Sequence, residues 1–202
     1  MMAVAILLSL LVTAQAAPAK PATPDADWRT VATQRDRERL RGWRASFVAA
    51  LQRARSSGHT REVQGDPVLF NPDRALPDAT PPEGAYRCRT IKLGVKTGGV
   101  LDYVAYPAFD CRVSAGPVPG TLNFARLDGS QRPVGVLYPD ATRAVFLGSL
   151  LLGDEQRPIP YGVDEARNMA GYVERIADRR WRLVLPSPAF ESLTDLIELV
   201  PA

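Results

Sequence analysis

Residues 84–115 read GAYRCRTIKLGVKTGGVLDYVAYPAFDCRVSA and hold the only two cysteines of the chain, Cys88 and Cys111. Two extended-looking runs flank Gly98 and Gly99. If they form a hairpin with Cys88 directly opposite Cys111, the turn falls at Gly99, where glycine can reach positive φ. Directly opposed residues at a non-hydrogen-bonded site approach to about 4.5 Å between Cα atoms, which a disulfide can span. The spacing therefore predicts a cross-strand bridge stapling the first hairpin. The alternative is a pair of free buried thiols.

The amino terminus bears on that choice. Residues 3–12 (AVAILLSLLV) form an apolar run too short to span a bilayer, and Ala14-Gln15-Ala16 follows as a small-x-small site. This pattern predicts a secretory signal peptide over residues 1–16, even though no lysine or arginine precedes the run. An exported chain, periplasmic or secreted, enters an oxidising compartment where a disulfide persists. Residues 17–26 (APAKPATPDA) read as a disordered Pro- and Ala-rich linker. Residues 27–202 then form a single domain, with a helical segment at 27–58, a long connection at 59–83 and a β region at 84–202. No segment after the leader is long and apolar enough to cross a membrane as a helix.

The net charge is +3, carried almost wholly by arginine, since Lys20, Lys92 and Lys96 are the only lysines. Export and so small an imbalance argue against a nucleic-acid partner. In the helical segment, Thr33 and Asp36 resemble a capping box, and Leu40, Trp43, Phe47, Leu51 and Ala54 make one apolar stripe ending at Gly58. Trp28 and Val31 suggest a first short turn of the same docking surface. The opposite face carries Arg35, Arg37, Arg39, Arg41 and Arg44 with Asp36 and Glu38. It reads as a solvated face on a helix docked through Trp43 and Phe47; membrane-surface contact through the arginines is the alternative. The connection holds Pro67, Pro72, Pro77, Pro81 and Pro82 and should run over the surface, with local packing at Val68, Leu69 and Phe70.

From Tyr86 onward, strand and turn alternate. Strands are expected at 121–127 and 133–138 around Asp128-Gly129-Ser130. A most buried strand follows at 142–152, then 171–176, 181–185 and 193–200, with Trp181, Leu183 and Leu185 sharing one face. About eight antiparallel strands in sequential order favour a mainly β fold, a small up-and-down barrel with an N-terminal α-helix. A twisted open sheet with the helix across one face is the alternative.

At residues 86–94 (YRCRTIKLG), 108–113 (AFDCRV) and 192–201 (SLTDLIELVP), the chain resembles domain-of-unknown-function family 4893. Its members are small exported bacterial proteins with an N-terminal helix and a cysteine pair. The resemblance runs from about Trp28 to the end and implies no activity, cofactor or substrate. Strand count and the single bridge are also similar to the periplasmic metalloprotease-inhibitor barrel, without an inhibitory segment to match.

Chemistry-bearing residues are few. His59 is the only histidine and sits in the polar stretch SSGHT, so any histidine-ligated metal or nucleophile-His-acid arrangement would depend on it. No phosphate-cradling glycine pattern and no cofactor motif occurs. Asp154, Glu155, Asp164 and Glu165 lie in one long loop, where adjacent acids are usually solvated or at best a loose calcium site. Glu174 and Glu198 lie on strands. A carboxylate pair roughly 5–9 Å apart would suit glycoside hydrolysis, given a cleft and a raised pKa. The reading favoured is a non-enzymatic binding or protein-interaction module with no assigned catalytic, cofactor or metal residue and an unknown protein or small-molecule partner. A small-molecule carrier would keep an open interior, with the loops at 114–120 and 153–170 around its mouth. The barrel aromatics, Tyr86, Phe109, Phe124, Phe146, Tyr172 and Trp181, lean toward a filled interior.

Overall fold

The computed structural model describes residues 26–96, 101–140 and 142–202. The leader, nearly all of the linker and the Gly98-Gly99 turn expected from the sequence lie outside the described residues. The helices come first: α1 (Trp28–Val31), α2 (Gln34–Arg41), α3 (Trp43–Ala54), a π-turn (Arg55–His59) and α4 (Thr60–Gln64). Nine strands follow: β1 (Gly84–Val95), β2 (Tyr103–Ala105), β3 (Phe109–Ala115), β4 (Leu122–Arg126), β5 (Gln131–Pro139), β6 (Ala144–Leu152), β7 (Asn168–Ala177), β8 (Arg180–Pro186) and β9 (Ser192–Pro201). Every pairing is antiparallel, and β1 pairs with β9 from Tyr86↔Pro201 to Val95↔Ser192. That last ladder closes β1 and β3 through β9 into an eight-stranded up-and-down barrel. β2 is the extra strand, and closure leaves the barrel strands without free edges.

The stapled hairpin is more irregular than expected. β2 pairs with the end of β1 (Ile91↔Ala105), while β3 pairs with its beginning (Cys88↔Phe109, Tyr86↔Cys111). The register slips by one residue between them, at Pro107, which has no N–H to give a ladder. In the β1–β3 register the cysteines are offset by two residues rather than directly opposed. An offset of two keeps both side chains on one face, and the Cys88–Cys111 disulfide spans 6.1 Å between Cα atoms. In the chain-entropy model a closure of this length contributes on the order of 3 kcal/mol.

Inside the barrel, Trp181, Leu183 and Leu185 do share one face, together with Tyr86, Phe124 and Phe146. Tyr86 meets Trp181 edge to face, and Phe124 meets Phe146 the same way. Gly135 and Gly148 are direct partners on β5 and β6. A Cβ on either would come within 2.7 Å of the Phe146 ring, so their lack of side chains is what admits that ring. β6 is the most buried strand expected, because its inner face joins this core and its outer residues Val145 and Leu147 lie under α2.

Outside the barrel, the helices form a second layer. Thr33 caps α2, its hydroxyl accepting from the Asp36 N–H at 3.1 Å. The single expected helix is divided at Gly42, which ends α2 and begins α3. The apolar stripe is divided with it. Leu40 packs with Tyr138, Val145 and Leu147, whereas Phe47, Leu51 and Ala54 pack on Ile91, Val184 and Leu196. Gly94 lets α3 come this close: a Cβ there would meet the Ala50 Cα at 3.1 Å, and its φ is +66°. Gly58, at φ +99°, turns the chain as expected, but the short helix α4 follows it. Val31 is exposed and does not dock.

The arginine face is not uniformly solvated either. Asp36 and Arg39 are buried and paired at 2.9 Å, with Tyr161 donating to Asp36 at 2.6 Å. Arg35 and Arg44 pair with Glu165 and Asp73. Among the described residues no helix is long and apolar enough to cross a membrane.

The connection at 65–83 is part of the fold rather than a surface excursion, since Leu69 and Phe70 are buried beneath α3. Its backbone is held by Arg182, which points outward from β8 under the helix layer and is 0% exposed. Arg182 Nη1 donates to the Leu69 and Asn71 carbonyls (2.5 and 2.9 Å) and Nη2 to that of Arg74 (3.2 Å). Nε and Nη2 both donate to Glu174 Oε2, and Arg143 donates to Glu174 Oε1 at 2.6 Å. All five guanidinium hydrogens are used. Replacing Arg182 by Met should cost about 3–5 kcal/mol, because it strips buried Glu174 of one of its two arginine partners and orphans three carbonyls. Urea unfolding measures this; a loss below about 1 kcal/mol would show that the cluster is dispensable.

Candidate functional site

The two ends of the barrel differ: at one, the interior is packed around Tyr86 and Trp181 beneath an open groove of about 510 Å³, and at the other a smaller, more enclosed pocket enters between the strands. The β3–β4, β5–β6 and β7–β8 connections lie at the end packed around Tyr86 and Trp181, while the connections at 127–130, 153–167 and 187–191 surround the other. The two loops expected around one mouth therefore lie at opposite ends. Residues 114–120 are remote from the opening, and the 153–170 segment contributes to it. The antiparallel meander forces this, since the β3–β4 and β6–β7 connections are an odd number of strands apart.

At the second end, a pocket of about 200 Å³ enters the barrel interior. Its walls are inward-facing residues of seven strands: Thr90 and Lys92 of β1, Arg126 of β4, Gln131 and Pro133 of β5, Leu150 of β6, Met169 of β7, Leu185 of β8, and Asp195 and Ile197 of β9. Pro188, Ala189 and Phe190 form a wall from the β8–β9 connection, with Phe190 52% exposed at the rim. That connection is held firmly. Ser187 donates to the Leu193 carbonyl and Ser192 to that of Phe190, both at 2.8 Å, and Lys96 bonds Glu191 and Pro188. These bonds hold Ser187 and Glu191 at positive φ (45° and 68°), a conformation that costs of order 1–3 kcal/mol each.

The charged side chains of the pocket are coupled. Lys92 Nζ donates to Gln131 Oε1 at 3.1 Å and to Glu191. Burial would lower its pKa, but the charge of Asp195 and the bond to Glu191 outweigh it and raise the value. Arg126 donates through Nε to the Asp128 carbonyl at 2.7 Å, and its guanidinium carbon lies 3.9 Å from the Phe109 ring centre. Asp195 is 8% exposed and accepts from the Ser192 hydroxyl. Burial pushes its pKa from the ordinary 3.8 up to about 6, against the opposing effects of Lys92 and Ser192. Desolvation of the carboxylate is the dominant cause.

The residues singled out in the sequence lie elsewhere. His59 stacks on Tyr103 outside the barrel, with Nδ1 3.3 Å from Glu62. Glu155 accepts from the Leu152 N–H and pairs with Arg167; Asp164 accepts from the Ala166 N–H, and Glu165 pairs with Arg35. Glu174 is enclosed by Arg182 and Arg143, and Glu198 by Arg89 and Arg180, both on the outer face of the barrel. Among the described residues no group of three or more His, Cys, Asp and Glu is placed to hold a metal ion. The sequence reading missed Lys92, Arg126 and Asp195. Their signal was phase: Asp195 alternates with Ile197 and Leu199, and Lys92 with Cys88 and Tyr86, so each belongs to the inward set.

Fold and pocket together define a disulfide-bridged, eight-stranded meander barrel with a helical layer and a half-filled interior. The chain belongs to the domain-of-unknown-function family DUF4893, whose model matches residues 28–199. No curated protein and no solved structure matches it.

Raising Asp195 makes the folded state hold its proton where the unfolded chain has released it. The stability this brings is complete below about pH 4 and is lost as pH rises through about 6. Asp195→Asn should therefore match the wild type near pH 4 and exceed it at pH 7, by on the order of 2–3 kcal/mol. Unfolding free energies of both proteins across that range check this; a difference independent of pH would show that Asp195 titrates normally.

Proposed function

We propose that this protein is an exported, non-enzymatic binding module that takes a small molecule in the mouth of its barrel. The observation that carries this reading is the contrast between the two ends of one interior. One end is packed with Tyr86 and Trp181 under an open groove, while the other keeps a more enclosed pocket lined by Lys92, Arg126 and Asp195. An interior serving stability alone would favour apolar side chains here too, because buried charges cost more in desolvation than they return. A few polar groups converging in a partly apolar concavity are what ligand sites present. The volume, below the roughly 300–1,000 Å³ of drug-sized sites, suits a small ligand.

Export is supported by the apolar leader with its Ala14-Gln15-Ala16 site, and by the disulfide, which fits an oxidising compartment. Hydrolysis by a carboxylate pair is less well supported. Glu174 and Glu198 face away from the pocket in arginine pairs, and Asp195 is the one carboxylate among the residues that line it. A protein-binding face would have to use the outer surface, where Arg35 and Arg44 are already paired with acids.

Native mass spectrometry of the protein recovered gently from the periplasm tests both parts. The expected result is a chain beginning just after Ala16, two protons lighter than its reduced form and carrying a small adduct. Ala189→Trp, on the pocket wall, should remove the adduct without changing the melting temperature. An intact leader would sink the export reading. Retention of the adduct by Ala189→Trp would move the binding site elsewhere.

A further inference from the structure

Resting on the reading of the mouth pocket as a ligand site, the arrangement of its cations indicates what the ligand is. Arg126 is fixed in plane by the Phe109 ring and by its Nε bond to the Asp128 carbonyl. Gly129 backs the same Nε–Nη2 side, where a Cβ would lie 2.4 Å from Nη2 and 3.4 Å from Nε. Among the described residues neither terminal amino nitrogen makes a hydrogen bond, and the Asp128 carboxylate stands 3.8 Å from Nε. A guanidinium clamped on one side with two parallel N–H donors left open is the geometry that recognises a carboxylate or phosphate in bidentate fashion. Lys92, on the same pocket, adds a second positive charge.

The rest of the pocket narrows the choice. Leu150, Met169, Leu185 and Ile197 give it an apolar wall, which calls for an apolar body on the ligand. Asp195 lies on the pocket wall, Glu191 already bonds Lys92, and Asp128 is beside Arg126. Around so many acids a dianion meets more repulsion than a monoanion. A volume of about 200 Å³ limits the body to a short one. We propose that the pocket takes a short organic monocarboxylate, its carboxylate between Arg126 and Lys92 and its apolar body against Leu150, Met169, Leu185 and Ile197.

Calorimetric titration of the mature protein at pH 7.5 tests this, with hexanoate and benzoate set against hexanamide and benzamide. The acids should bind at least about tenfold more tightly than their amides. Arg126→Gln should lower hexanoate affinity about tenfold more than hexanamide affinity, and Lys92→Gln gives the same readout if that variant folds poorly. Equal binding of acid and amide would overturn the carboxylate assignment while leaving the pocket a ligand site. Inorganic phosphate binding as tightly as hexanoate would overturn the requirement for an apolar body. No binding by any probe, from a protein that also carries no adduct from the periplasm, would overturn both this proposal and the ligand site beneath it.

Discussion

The guanidinium of Arg182 holds together parts of the chain that nothing local would join. It lies between the barrel wall and α3, 5.1 Å from the centre of the Phe47 ring, and binds Glu174 on β7 and three carbonyls of the 65–83 connection. That connection has no ladder to join except one bridge, Leu76↔Arg175. Its buried carbonyls would otherwise be unpaired in a low-dielectric layer, where each costs about 1–3 kcal/mol. Arginine suits the position because its five donors are fixed in a plane and its charge persists when buried. Burial lowers its pKa, while Glu174 acts in the opposite sense. The same carboxylate draws in Arg143, which lies 4.7 Å from the Trp43 ring centre and so reaches the start of α3.

This outer cluster is also the reason the interior can be left partly hollow. A small barrel is usually stabilised by filling its interior. Here the helices and the connection bury a second apolar layer on β1, β7, β8 and β9, from Phe47 and Leu51 to Leu69 and Ile176. The paired rings of Tyr86 and Trp181 occupy one end of the interior, and the disulfide lies in the same core. The opposite end lies where the outer layer also reaches. Arg39 donates to the Asn168 carbonyl at the start of β7, and Asp36 accepts from Tyr161 in the loop before it. The rim is therefore braced from outside, and the pocket walls are rigid strands rather than loops alone, which is what precise placement of polar groups requires.

Much of the fold was legible because two periodicities dominate it. The 3.6-residue stripe through Phe47, Leu51 and Ala54 and the alternation of Trp181, Leu183 and Leu185 both mark buried faces. Turn chemistry located most hairpins, as at Asp128-Gly129-Ser130. An alternating strand has two faces, and sequence does not tell which of them has a cover. Arg182 falls on the face opposite Trp181, where an arginine reads as solvated, yet α3 and the connection seal it. The candidate site was less legible. The acids singled out lay in a loop or, like Glu174 and Glu198, on the outer face of strands, whereas Asp195 faces inward, and its raised pKa comes from surroundings contributed by distant residues.

The sequence by itself determined the mainly β class, the strand order, the cap at Thr33 and the pairing of the only two cysteines. Each depends on residues adjacent in the chain or on a count that permits one answer. Tertiary structure alone decided the two-residue offset of the bridge, the separation of the two helices at Gly42, the burial of Arg182 and the convergence of Lys92, Arg126 and Asp195. Those depend on barrel closure, where the β1–β9 ladder brings together residues about a hundred positions apart and thereby fixes what each side chain faces.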